Sequence, residues 1–209
     1  QFKSLKNLFA RKLPIGLNKK IVKDQFLTSL FFYKDIKMRT KILFRRVIKE
    51  NFSGANAIYT NFINDDIELI LKAKEMGLEI IHEVIITPNS GLLMLEEYNL
   101  YPNIESNNHT LEKVKKGMEL DLIKWELSDK IVVPSRMVLE NVVKLGVDPK
   151  KVFLVPYGIN EDWFKYKSMP KKGRILFVGL VGLRKGVHYL AEAARILANK
   201  GYDYEIVVV

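Results

Sequence analysis

The sequence predicts an α/β fold built on parallel sheets, and three observations carry that expectation. From residue 57 onward, strand-like and helix-like segments alternate to the end of the chain, the pattern of strands joined by helical crossovers. The strand candidates contain continuous apolar runs such as Ile131-Val132-Val133 and Val152-Phe153-Leu154-Val155, as expected of strands covered by helices on both faces. The chain of 209 residues is 48% hydrophobic and 28% charged. That is enough apolar material for a sizeable core, and it excludes disordered, collagenous and coiled-coil classes.

The elements follow in order. Up to Glu50 the apolar residues Phe26, Leu30, Ile42, Leu43 and Val47 fall three and four apart, interrupted earlier by Pro14 and Gly16, so short helices and loops are expected. Ala57-Ile58-Tyr59-Thr60 reads as a short strand, and Asp65 to Met76 as a helix stopped by Gly77, a residue suited to a left-handed C-cap. Leu78 to Ile86 reads as a strand, and the Asn-rich stretch Pro88 to His109 as irregular. A helix over Leu111 to Leu127 precedes a strand at Lys130 to Val133. Ser135 is a plausible N-cap for a helix to Leu145, closed by Gly146. After a strand at Val152 to Val155 and a turn at Pro156-Tyr157-Gly158, the polar stretch Lys165 to Gly173 reads as a linker. A new unit begins beyond it: strand Arg174 to Val178, a glycine-bearing loop, helix Val187 to Asn199 and strand Tyr204 to Val209. At about 150 residues per domain, the expectation is one domain over residues 1–166 and the start of a second over 167–209. The opening on Gln1 and the close inside Val207-Val208-Val209 read as cut ends.

Charge is segregated. Residues 1–50 carry 14 Lys+Arg against 3 Asp+Glu, a net of +11, and residues 51–209 carry 20 against 21, a net of −1. The basic stretch is interleaved with Phe26, Phe31, Phe32, Tyr33 and Phe44. It reads either as solvated faces of surface helices or as a cationic surface lying on anionic lipid, where each basic side chain contributes about 1 kcal/mol. Nucleic acid is disfavoured, because no helix-turn-helix, zinc-finger or RNP-like pattern accompanies the charge. The chain has no Cys and three His, which excludes disulfides, thiolate metal sites and a Cys nucleophile and argues against a His-rich zinc site. The longest apolar candidate, Phe26 to Tyr33, falls far short of the roughly 20 residues that span a bilayer. A cytoplasmic protein is expected, with the basic stretch peripheral on the inner face of the cell membrane.

The segment richest in chemistry is Phe177-Val178-Gly179-Leu180-Val181-Gly182-Leu183-Arg184-Lys185-Gly186. It lies between a strand and a helix, where ligands bind in open parallel sheets. Backbone N–H groups and the helix dipole at such a place attract an anion, and Arg184 and Lys185 add two positive charges. The same stretch also reads as a plain βα turn with two solvated cations. Its spacing departs from G-x-G-x-x-G, and Gly186 stands where a Walker loop has Ser or Thr, so a nicotinamide-dependent oxidoreductase is disfavoured.

Phe177-Val178-Gly179, followed six residues later by Lys185-Gly186 and then Leu190-Ala191-Glu192-Ala193, resembles the nucleotide-sugar site of glycosyltransferase family 4, retaining enzymes of GT-B fold. A second block is similar to the segment by which that family leaves its N-terminal domain: Leu127-Ser128-Asp129-Lys130-Ile131-Val132-Val133-Pro134-Ser135, Gly146-Val147-Asp148-Pro149-Lys150-Lys151-Val152 and Val155-Pro156-Tyr157-Gly158-Ile159-Asn160. The resemblance covers about residues 53 to 209. It implies two Rossmann-like domains, the first lacking its opening strand and the second holding only its first β-α-β. It also implies transfer of a hexose-type residue from a nucleoside-diphosphate sugar to a glycan or lipid-linked acceptor, with no metal or other cofactor. Gly179, Arg184, Lys185 and Gly186 are then the donor-diphosphate residues. Leu180 stands where the family has an Arg, which leaves Arg184 as the available substitute. His82 and Glu83 are the nearest candidates for the catalytic residues facing the sugar, although His82 lies within its strand, where a structural role is equally open. Ser135 and Asn160 are cleft candidates, each with a simpler reading as a helix cap and a turn former. The family's carboxylate pair falls beyond Val209. A non-catalytic GT-B-like scaffold module in polysaccharide assembly is the alternative.

Overall fold

The computed structural model describes residues 35–61, 66–105 and 109–209. The expectations for residues 1–34 and for a helix start at Asp65 lie outside them. The chain divides into two compact units, residues 1–54 and 55–209.

In the first unit, helix α1 (Ile36–Lys49) opens on Asp35, whose Oδ1 accepts from Met38 N at 2.9 Å, the usual way to satisfy an orphan donor of a first turn. It closes with Arg46 and Lys49 in its last turn, cations placed at the negative end of the helix dipole. Lys41, Arg45 and Arg46 are exposed, whereas Ile42, Leu43 and Phe44 are half-buried.

The second unit contains β1 (Ala57–Thr60), α2 (Ile67–Glu75), β2 (Glu79–Glu83), α3 (Ser90–Leu100), α4 (Leu111–Leu127), β3 (Lys130–Val133), α5 (Arg136–Lys144) and β4 (Val152–Leu154). These are followed by β5 (Arg174–Phe177), α6 (Val187–Asn199) and β6 (Glu205–Val208). The first four strands form one parallel sheet in the order β1-β2-β3-β4, and β5 and β6 form a parallel pair. In register, Thr60 lies beside His82 and His82 beside Ile131. The alternating α/β expectation with parallel sheets therefore holds, and most segments begin and end within one or two residues of the sequence reading.

Parallel neighbours joined in sequence by right-handed crossovers put their helices on one face of the sheet, and the core lies there. Ile131 and Val133 of β3 pack with Trp125 of α4, Val138 and Val142 of α5, and Val84. Leu69, Ile70 and Ala73 of α2 are buried as well. The opposite face keeps Tyr59 61% and Phe153 44% exposed, so the expected burial of strands on both faces is met on one face only among the described residues. The expectation of irregular chain from Pro88 to His109 is corrected too, because α3 occupies residues 90–100. Leu92, Leu93, Met94, Leu95, Glu96 and Glu97 are strong helix formers, but their apolar members run consecutively instead of recurring at three and four. Periodicity was therefore the wrong signal for this helix.

Three polar devices fasten the sheet to its helices. Asp129 accepts from Ile80 N at 2.8 Å and from Lys74 Nζ at 3.1 Å, which ties the start of β2 to the end of α2. Desolvation opposes ionisation there, but these two donors together with the charges of Lys74 and Lys151 outweigh it and hold the Asp129 carboxyl below its usual range. Ser128 is fully buried, and its Oγ donates to Lys124 O at 2.7 Å at the close of α4. Lys151 Nζ donates to the carbonyls of Glu126 and Ser128 at 3.3 and 3.1 Å. Among the described residues no helix is long and apolar enough to cross a membrane.

Candidate functional site

Two features at the carboxyl ends of the strands carry chemistry, and α3 connects them. The first is a pocket of about 210 Å3 beyond the end of β2, lined among others by Asn61, His82, Glu83, Thr87, Asp121 and Trp125. His82 occupies the helix-covered face between Thr60 and Ile131 and is 3% exposed. Burial, and after it the Lys124 ammonium, push its pKa down to about 4, so the ring is neutral at neutral pH and offers one donor and one acceptor. Lys124 is itself 1% exposed and pairs with Asp121 at 3.2 Å. Glu83, on the alternate face, is half-buried. Partial desolvation and the Glu83 carboxylate together raise the Tyr59 phenol above its ordinary value.

Two buried polar atoms of this lining, Thr87 Oγ1 and Trp125 Nε1, have no hydrogen-bond partner among the described residues. An indole N–H is a donor only, so the pocket suits a ligand with an acceptor for Trp125 and hydroxyls for the carboxylates of Glu83 and Asp121. Unsatisfied groups of this kind cost stability unless a ligand or water meets them.

The second feature is the loop from Gly179 to Gly186. A three-residue turn, Leu183–Lys185, runs into Gly186, whose φ of 69° is left-handed. That conformation suits a residue without a Cβ, and it lets the chain reverse directly into α6. Among the described residues no side chain caps α6, and the first-turn N–H groups of Val187, His188 and Tyr189 have no intrahelical acceptor. Arg184 and Lys185 are both exposed. The Cγ of Lys185 passes about 4.0 Å from the position a Cβ on Gly179 would take, so this side chain lies back over the end of β5. Gly179 itself differs from the expectation of a free anion donor, since its N–H bonds Val209 O at 3.0 Å and extends the β5–β6 ladder. The N–H groups of Lys185 and Gly186 are likewise committed, to Gly182 O and Leu183 O.

Ser135 and Asn160 have capping roles. Ser135 Oγ accepts from Val138 N at 3.4 Å at the start of α5, and Asn160 Oδ1 accepts from Asp162 N at 2.9 Å in an exposed turn. The structure brings His82 and Glu83 to one pocket, and Arg184, Lys185 and Gly186 to one loop.

Sequence reading passed over α3, the element that links the two. Thr87 and Ser90, before and at its start, line the pocket, while its far end grips the loop and α6. Glu97 accepts from His188 Nε2 at 3.0 Å and from Tyr189 Oη at 2.8 Å, and this bond holds the Tyr189 phenol well above its usual range. The Tyr101 ring packs on His188 and Tyr189 at centroid distances of 4.4 and 5.8 Å. Glu105, five residues beyond α3, accepts from Leu183 N at 2.9 Å. A helix rises about 1.5 Å per residue, so Ser90 and Glu97 stand roughly 10 Å apart along its axis. Searches of protein-family models and of curated proteins find no match to this chain.

Proposed function

We propose that this chain belongs to a retaining glycosyltransferase that moves a sugar from a nucleoside-diphosphate donor to a glycan or lipid-linked acceptor. The observation that carries the reading is the uncapped start of α6 with Lys185 beside it, because three backbone donors and an exposed ammonium suit a diphosphate leaving group. The pocket at the end of β2 supports it from the other side. Its carboxylates repel phosphate, while Trp125, Thr87, Glu83 and Asp121 suit the mixed donors and acceptors of a polyhydroxylated ring. In this reading His82 is a neutral hydrogen-bonding group toward the sugar, Glu83 its acidic neighbour, and Arg184 and Lys185 hold the diphosphate. Bond breaking at the anomeric carbon then leaves charge on the diphosphate, which the α6 terminus and Lys185 stabilise.

The test is calorimetric titration with uridine, guanosine and adenosine diphosphates and their hexose conjugates, followed by NMR of the anomeric configuration of any transferred sugar. Saturable binding of one of them, weakened about tenfold or more by Lys185→Ala as expected for a lost charge-assisted contact, is the predicted result. Absence of binding by all of them refutes the reading.

We further place residues 1–50 at an anionic membrane surface, on the strength of their net charge of +11. Such attraction is screened over a Debye length of about 8 Å at physiological ionic strength. Sedimentation with phosphatidylglycerol vesicles is expected to fall with added salt, and to fall sharply when Lys19, Lys20, Arg45 and Arg46 are replaced by Gln. Equal sedimentation with anionic and neutral vesicles at low salt contradicts the placement.

A further inference from the structure

The loop that the proposed function gives to a diphosphate is already engaged by an anion, and that anion belongs to the chain. Glu105 reaches the loop from the acceptor-side part of the fold, 78 residues away in sequence, and its Oε1 accepts the Leu183 N–H at 2.9 Å. Tyr98 Oη donates to Oε2 of the same carboxylate at 3.4 Å and so orients it. The approach depends on Gly182, because a Cβ there would collide with Glu105 Oε1. The φ of Gly182 is −176°, extended backbone open to any residue. The glycine is therefore needed for proximity and not for conformation. Leu183 is 2% exposed, so its N–H has little recourse to water when the carboxylate leaves.

We propose that Glu105 is a built-in competitor of the anion loop. Its carboxylate holds the Leu183 N–H and sets a negative charge against the loop while no donor is bound, and a phosphate gains that N–H only by displacing it. The neighbouring contacts give the exchange a fixed frame. Glu97 bonds His188 and Tyr189 on the first turn of α6, and Tyr101 packs on both rings, so α3 and α6 stay joined while Glu105 alone departs. The consequence is a loop that discriminates against weakly bound anions, since each must first replace a charged hydrogen bond. The inference rests on the reading of the loop as an anion site, and the test separates the two.

The probe is inorganic pyrophosphate, titrated calorimetrically into the full chain, the Glu105→Ala variant and the Glu96→Ala variant, which removes an exposed carboxylate from α3. Amide hydrogen exchange of Leu183 is measured on the same samples. Loss of a competing charged hydrogen bond is expected to tighten pyrophosphate binding about tenfold in Glu105→Ala and to speed exchange at Leu183, with Glu96→Ala unchanged in both. Gly182→Ala supplies an independent route, because its Cβ expels the carboxylate without altering charge, and it should accelerate Leu183 exchange in the same way. Wild-type affinity in Glu105→Ala, or equal tightening in Glu105→Ala and Glu96→Ala, overturns the competitor and leaves the anion loop standing. Failure of every variant to bind pyrophosphate overturns both.

Discussion

The start of α5 and the start of α6 are the same kind of place, each following a strand of a parallel sheet, yet they are finished in opposite ways. Only Pro134 and Ser135 separate β3 from α5, and Ser135 satisfies the helix from within by accepting from Val138 N. Residues 178–186 separate β5 from α6, the N-cap is a glycine without a side chain, and no side chain among the described residues caps the helix. The N–H of Leu183 in that loop is met by a carboxylate from far along the chain. A helix start that supplies its own acceptor, as Ser135 does for Val138 N, leaves one donor fewer for a ligand. One that supplies none leaves donors that a ligand can take, and the chain places two cations beside them.

The contrast predicts that changes in the four-stranded half leave anion binding at α6 unaltered, whereas changes near the start of α6 weaken or strengthen it. The largest effect expected is on stability through His82, whose pKa falls from 6.5 to about 4 on folding. Its folded value lies below its unfolded one, so the unfolded chain binds the proton more readily. Stability from this group is thus fully present above pH 6.5 and is lost as pH falls from there toward 4. At 1.36 kcal/mol per unit the total is about 3 kcal/mol. Urea midpoints at pH 7.5 and pH 4.5 measure it, and His82→Gln should remove most of the difference. An unchanged pH dependence in that variant contradicts the assignment.

Next in size is Lys185→Ala, expected to weaken pyrophosphate binding about tenfold or more while leaving the urea midpoint where it was. A lowered midpoint would show that Lys185 supports the fold instead of the ligand. The smallest effect belongs to Ser135→Ala, which should lower stability by about 1 kcal/mol and leave pyrophosphate binding unaltered. Weakened pyrophosphate binding in Ser135→Ala would break the contrast between the two helix starts.

Much of the four-stranded half was legible in the sequence because its signals are local. Ser135 accepts from Val138 N at the start of α5, as its position before an apolar segment suggests. Gly77 and Gly146 stand at positive φ just after α2 and α5, where the glycines in the sequence place helix stops. α3 was hidden because its helical signal is propensity without periodicity. The one-sided burial of the sheet was hidden because apolar strand runs do not say what covers them. At the site, the clustering of Arg184, Lys185 and Gly186 could be read directly, but the approach of Glu105 to Gly182 spans 77 residues, and no local pattern foretells it. Gly179 misled for a related reason, since its N–H is claimed by Val209 O, a pairing set by the sheet and not by the loop.

We propose that an anion engages the start of α6 in preference to the start of α5, where Ser135 already meets Val138 N. Amide NMR of the full chain during titration with inorganic pyrophosphate tests it most directly. The account predicts shifts concentrated at Leu183 to Tyr189, saturable and reduced by Lys185→Ala, with the amides of Arg136 to Val138 unmoved. Shifts of similar size at both helix starts, or binding with no response at Leu183 to Tyr189, would contradict it.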